Sequence, residues 1–428
     1  MCAMVEQRWS GAFNCLRWQR LGGPLLAALL TALPSPAQVS YQVRFELEKS
    51  QYLVGEPVFC RFVIKNTGSQ AFAYRYRTPS RLLSRDYEQE PTFVMTDAQG
   101  RRLPDPAPQP CGGTQGTVVY GSVMLPAGQT ASERWLVNQW AKFTGPGRIH
   151  VRAERRLALS SVDPKTGNFS EKPAAFALAL DELEIDLEAP AAGQLAMTYQ
   201  PYLRQIGDAK ERNPAEAVLV VTNLPQPFLW ESLVAMTKPT KAERFDRHDA
   251  LTGLARLGTP AAWESILKLA CDPAADDSLR SYAVLLLGEK GDPSALSPLL
   301  KLVDGSPEAL RGELLRGLGF FSDDRAYQTL FDHLHSASVT DRMNSILGLK
   351  NKGSKEVIPA VLAMLNDPSP QVRNVADFAL QGMTGHKVAL PEDSSDAAPR
   401  RLAEDWHGWW QEHGADFSPM LTAPCREW

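Results

Sequence analysis

Arg280, Arg311, Arg342 and Arg373 follow one another at a constant interval of 31 residues (311−280, 342−311 and 373−342). Each stands at the opening of a similar apolar pattern. Leu279-Arg280 leads to Ala283, Leu286, Leu287 and Gly288; Leu310-Arg311 leads to Leu314, Gly317, Leu318 and Gly319; Asp341-Arg342 and Val372-Arg373 open two more copies. Apolar residues three and four apart share one face of a helix. A unit of this length cannot bury that face alone, so consecutive units must stack into a helical solenoid. This restricts the fold more than any other feature of the chain. A looser copy comes earlier, where Trp230-Glu-Ser232 and Trp263-Glu-Ser265 are offset by 33 residues (263−230). The repeats are therefore expected to begin near Pro214.

The stretch Asn366-Asp367-Pro-Ser-Pro370-Gln-Val372-Arg373, followed by Ala376, Ala379 and Leu380, resembles a HEAT repeat. The resemblance spans about Pro214 to Met383, some five units. It implies a ladder between neighbouring units, built by a turn acid and an arginine six residues later (373−367). Asp367, Arg280, Arg311, Arg342 and Arg373 are accordingly expected to be structural. Arg342 departs from the pattern, with Asp341 where Leu or Val is expected and Lys350 where Gly would stand. If the Arg-bearing helices are the inner ones, as in that family, the positions one and five residues after each arginine face the concave side. Those after five are Leu285, Arg316, Leu347 and Phe378, and Met343 is the apolar one of the first set. Leu285, Arg316, Met343, Leu347 and Phe378 thus form a candidate strip for a protein partner, since exposed apolar strips mark interactions. The competing expectation is that tight curvature or the preceding domain covers them.

The chain has 428 residues, enough for two or three domains. Lys+Arg 45 against Asp+Glu 49 leaves a net charge of −4 and no basic block, which excludes nucleic acid as an expected partner. Arg8, Arg17 and Arg20 precede the apolar run Leu21–Leu33, and Ser35-Pro36-Ala37 supplies small residues after it. This pattern reads as a secretory signal over residues 1–37. The run falls short of the ~20 residues of a membrane span and is interrupted by Gly23 and Pro24. The expectation is a bacterial periplasmic or extracellular protein without a stable transmembrane span after cleavage; retention of the segment as an anchor is the alternative. In an oxidising compartment Cys60 can bridge to Cys111, or both can be free buried thiols; Cys425 can reach Cys271.

Residues 38–187 carry short alternating runs divided by Gly and Pro, the pattern of an antiparallel β-sandwich. Tyr41–Glu48 alternates strictly, and Val58–Ile64 ends at Asn66-Thr-Gly68. Gly55-Glu-Pro57 before that strand, and Leu125-Pro-Ala-Gly-Gln129 leading to Gly145-Pro-Gly147, resemble turns of bacterial immunoglobulin-like modules. Residues 188–212 read as a short linker and leading helix, and 213–384 as the repeats. Residues 385–428 read as a loop and a Trp-rich cap, whose Leu402, Trp406, Trp409, Trp410 and His413 share a helical face.

Chemistry is sparse. CxxC, HExxH, GxSxG, Walker and GxGxxG signatures are absent from the sequence, so no cofactor or metal site is expected. Ser265-Ile-Leu-Lys268 fits SxxK, but it lies within a repeat helix. His333 and His335 beside Asp332 are two apart and do not share a helical face; His407 and His413 are separated likewise. The fold class is a multidomain α and β chain: an N-terminal sandwich followed by a HEAT-like α-solenoid. Its expected role is non-enzymatic protein binding or scaffolding outside the cytoplasm. Two alternatives stand beside it: an enzyme resembling the bilin lyases, which share the repeat, and a carbohydrate-binding module stacking sugars on Trp135 and Trp140.

Overall fold

The computed structural model describes residues 39–77, 90–104, 106, 120–163, 165–170, 172–208, 210, 214–239, 245–388 and 398–418. The expected signal segment, Cys111 and Cys425 lie outside them.

Among the described residues nine strands form two sheets. The first runs in the order β1 (Tyr41–Leu47), β3 (Phe59–Asn66), β7 (Thr130–Leu136), all antiparallel. The second is β2 (Gln51–Leu53), β9 (Ala175–Glu188), β8 (Gly147–Ser161), β4 (Phe72–Arg77), β6 (Tyr120–Leu125), with β5 (Thr92–Asp97) also on β8. Only the β2–β9 pair is parallel. Alternate side chains of both sheets meet in one core: Cys60, Phe62, Ile64 and Trp135 from the first, Phe93, Val151, Leu157 and Ile185 from the second. The turn signal at residues 66–68 has a definite cause. The Asn66 amide donates to the Gln70 and Leu125 carbonyls, and its oxygen accepts the Gly68 N–H.

The sequence pattern marks only Arg148–Ala153 as a strand, yet β8 continues to Ser161. Glu154-Arg155-Arg156 hides the alternation because Arg155 points inward. It is only 3% exposed, donates to Glu133 at 2.8 Å and lies over the Phe62 ring at 4.5 Å. A buried charge survives here because it is paired and stacked.

Phe59 and Leu136 leave the sheet core and enter the helical one. β9 ends at Glu188 and α1 (Gln194–Gly207) begins a few residues later, docked onto the first sheet. The Tyr199 hydroxyl lies 2.8 Å from the Gly55 carbonyl and 3.1 Å from that of Leu224 in the turn after α2 (Ala215–Asn223). Arg134 of β7 binds Glu48 and also Glu216 of α2, with its guanidinium 4.1 Å above the Phe59 ring. Within the stretch read as a linker and leading helix, Gln194–Gly207 is a packed helix, and the apolar core runs across the junction.

From α2 onward helices alternate in two layers. The inner layer is α4 (Arg247–Leu257), α6 (Asp277–Lys290), α8 (Glu308–Leu318), α10 (Val339–Lys352) and α12 (Pro370–Thr384). The outer layer is α3 (Trp230–Met236), α5 (Pro260–Cys271), α7 (Pro293–Val303), α9 (Asp324–His333) and α11 (Ile358–Ala363). Asp246, Asp276, Asp292, Asp323 and Ser338 cap helix starts by accepting first-turn N–H groups. The inner helices touch through glycines: a Cβ on Gly288 would lie 2.6 Å from the Gly317 carbonyl, and one on Gly319 would overlap that of Gly348. The stack closes with α13 (Ala398–His413), whose Trp406 is fully buried and donates to Asp377 at 2.7 Å. Trp409 lies between the rings of His386 and His413, stacked at 4.7 and 5.0 Å.

Candidate functional site

The repeated arginines share one task. Each guanidinium donates to a carbonyl of the turn or helix end before its own helix: Arg280 to Ala270, Arg311 to Ser306, Arg342 to Ser336 and Ala337, Arg373 to Asp367 and Pro368. Two of them also form rungs to the next unit. Arg342 takes both oxygens of Asp367, at 2.8 and 2.9 Å, and Arg311 takes both oxygens of Asp341, at 2.9 and 3.0 Å. Asp341, an irregularity in the sequence pattern, is therefore the acid of one rung. Burial pulls the Asp367 carboxyl upward, but the Arg342 guanidinium and the Ser369 N–H hold it below the usual carboxylate range. Arg280 instead pairs within its helix with Asp277, and Arg373 bonds the Asp367 and Pro368 carbonyls of its own turn.

With the arginines turned into the turns, the concave positions can be read directly. Leu285 is not exposed as expected: at 5% exposure it belongs to the helical core. Its helix, α6, meets α8 backbone to backbone at Gly288 and Gly317. Arg316, Met343 and Leu347 are half-buried, and Phe378 is 59% exposed. The strip thus opens toward the C-terminal end. There α13 packs on Asp377 and on α11, and Phe378 of α12 stays exposed.

Lys350, the other departure from the repeat, completes this surface. Its stem crosses Gly382 of α12, where a Cβ would meet the Lys350 Cε at 2.6 Å, and its ammonium lies 5.4 Å from the centre of the Phe378 ring. A lysine where the pattern expects glycine fits because the glycine has moved to the facing helix. Arg316 pairs with Glu313 at 2.8 Å, and burial pushes the Glu313 carboxyl up while Arg316 pulls it down. Asn351 donates to the Arg316 carbonyl at 3.2 Å. The surface is an aromatic face under a cation, bordered by half-buried apolar groups. It can take an apolar side chain next to a negative charge.

Other candidates are not assembled. Ser265 donates to the Ala261 carbonyl and accepts from the Trp230 indole, while Lys268 pairs with Glu264 at 2.8 Å. The SxxK residues therefore make no nucleophile–base contact. His333 bonds the Thr329 carbonyl through Nδ1, and among the described residues no group of three His, Cys, Asp or Glu is placed to hold a metal. Trp135 is buried and Trp140 packs edge-on against it and Phe93, so neither offers a free face to a sugar. The Cys60 thiol is buried, which pushes its pKa up to about 12. Among the described residues no helix is long and apolar enough to cross a membrane.

Residues 264–344 match the family model of HEAT repeats. That match supports HEAT repeats from α5 to α10, and the helix pairs on either side stack as a solenoid in the same way. No curated protein matches the chain. Solved structures similar to it include a designed armadillo repeat protein in complex with the peptide (KR)4, 17% identical, covering 46% of this chain and 95% of that one at a TM-score of 0.29. A second designed armadillo protein is 17% identical over 46% of this chain and 95% of its own, at 0.28. Human deoxyhypusine hydroxylase in complex with glycerol is 16% identical over 44% of this chain and 74% of its own, at 0.25.

Proposed function

We propose that the protein is an exported scaffold that binds a protein partner on the C-terminal part of its solenoid, with an immunoglobulin-like β-sandwich as its N-terminal half. The observation that carries the reading is Phe378, a large aromatic left open on the concave side of α12 with the Lys350 ammonium over its ring. A side chain of this size in water costs about 1.5–3 kcal/mol relative to burial, which a partner recovers. The fitting segment presents an apolar side chain flanked by a carboxylate. Export is supported by the arginine-led apolar run before Ala37.

A photo-crosslinking residue at position 378 should capture one partner reproducibly, and the same residue at Phe169 of the sheet region should not. Lys350→Glu should weaken that capture at least tenfold while the helical circular dichroism is unchanged. Equal capture from both positions, or from the Lys350→Glu chain, would sink the reading.

A further inference from the structure

A second constellation lies at the other end of the solenoid, away from Phe378 and independent of it. The Asp246 carboxylate lies 2.6 Å from Nδ1 of His248 and also accepts its backbone N–H at 2.9 Å. On the other side of the ring, Nε2 lies 3.1 Å from the Ser278 hydroxyl, which belongs to the next inner helix. Tyr282 meets the imidazole edge-on at 5.3 Å, and its own hydroxyl is tied to Thr252 at 2.9 Å. The ring is thus held from three sides. A carboxylate at Nδ1 makes that nitrogen the proton donor and leaves Nε2 free to accept the serine proton. Ser278 is exposed, so a substrate can reach it.

We propose that Ser278 is an activated nucleophile, with His248 as its general base and Asp246 as the positioning residue, and that it accepts the acyl group of a small carboxylic ester. A cavity of about 740 Å³, within the range of small-molecule sites, opens beside the starts of the same two helices, with Asp246, His248 and Ser278 outside its walls. Its walls include Trp230, Val234, Leu254 and Leu279, and its border includes Arg247, next to His248 in the chain, and Asp276, two residues before Ser278. Arrangements of this kind recur on unrelated folds and are recognised by geometry rather than by sequence order.

In the acylation step the Ser278 Oγ attacks the ester carbonyl carbon while its proton passes to His248 Nε2. The C–O bond to the alkoxide breaks, and the leaving alkoxide takes that proton from the imidazolium. A water then gives a proton to Nε2 and its oxygen to the acyl carbon, and the serine oxygen departs with the proton, releasing the acid. The N–H groups of Ser278 and Leu279 are already bonded to Asp276. In the proposal Arg247, whose guanidinium lies 4.0 Å from the Asp276 carboxylate, turns toward the developing oxyanion.

The test uses the full chain, a fluorophosphonate probe and p-nitrophenyl acetate. Peptide mapping should find the phosphonyl group on Ser278 of the native protein, and Ser278→Ala should abolish it. His248→Gln should slow both labelling and ester cleavage about 100-fold or more, the range of general base catalysis. Asp246→Asn retains a good helix cap, so a fold defect is separated from a chemical one. Asp246 raises the His248 pKa, with Asp276 adding to it. The Asn variant should therefore begin to react at lower pH while its plateau rate falls. Labelling of Ser278 at the same rate in urea, equal rates in wild type and His248→Gln, or no adduct on Ser278 each overturns the proposal.

Discussion

Breaking the Arg342–Asp367 rung should loosen the C-terminal units selectively. The pair is bidentate, and its side chains are 11% and 4% exposed, so solvent screens it little. Arg342 also satisfies the Ser336 and Ala337 carbonyls, and Asp367 also accepts the Ser369 N–H. Arg342→Met keeps the stem, leaves a buried carboxylate without its guanidinium, and frees two carbonyls. Removing one partner of such a pair costs about 3–5 kcal/mol. Adding Asp367→Asn to that variant should restore part of the loss, because the orphaned charge is gone while Asn still accepts the Ser369 N–H. In a solenoid each unit leans on its neighbours, so the loss stays near α10 and α12 rather than spreading evenly. Hydrogen exchange read by mass spectrometry should show protection of peptides from α10 and α12 falling by at least about a hundredfold, at about 1.4 kcal/mol per factor of ten. Peptides from β8 and β9 should be unchanged. Protection within threefold of wild type at α12, or strictly additive losses in the double variant, would refute the rung as an energetic element.

Trp406→Phe keeps most of the buried area but removes the N–H that Asp377 accepts; a loss of about 1.5–3 kcal/mol is expected, the range for a bond to a charged group, read as earlier melting of α13 by proteolysis. Gly319→Ala should be far worse than a surface change, since its Cβ would overlap the Gly348 carbonyl; an unaltered melting temperature would show that α8 and α10 can part. The folded-state pKa of His248 is raised by its bond to Asp246, so its stabilisation is complete below the unfolded value near 6.5 and is lost as pH rises through the higher folded value. Exchange protection at the start of α4 should therefore decline across that window in wild type and stay flat in His248→Gln.

The 31-residue period determined the architecture by itself, because a unit that short has one apolar face and no other way to bury it. Alternation in Tyr41–Leu47, and Asn66 with Gly68 at the turn, carried the sheets equally well, since strand and turn are local chemistry. The length of β8 was not legible: an inward arginine looks polar until Glu133, Phe62 and Trp135 are brought around it. The surface divided the same way. Counting from the arginines put Phe378 and Leu285 on one strip, yet the first is exposed and the second buried, because a helical wheel treats every repeat alike. How closely two helices approach depends on which residues face each other across the stack: α6 meets α8 at Gly288 and Gly317, and Leu285 of α6 is buried while Phe378 of α12 is exposed. Asp341 and Lys350 looked like defects of the repeat for the same reason. The sequence determined the period, the helices and the direction their arginines face. Only the tertiary structure decided that one irregularity is a rung, that the other lies over Phe378, and that Asp246, His248 and Ser278, carried by adjacent inner helices 30 residues apart (278−248), meet at all.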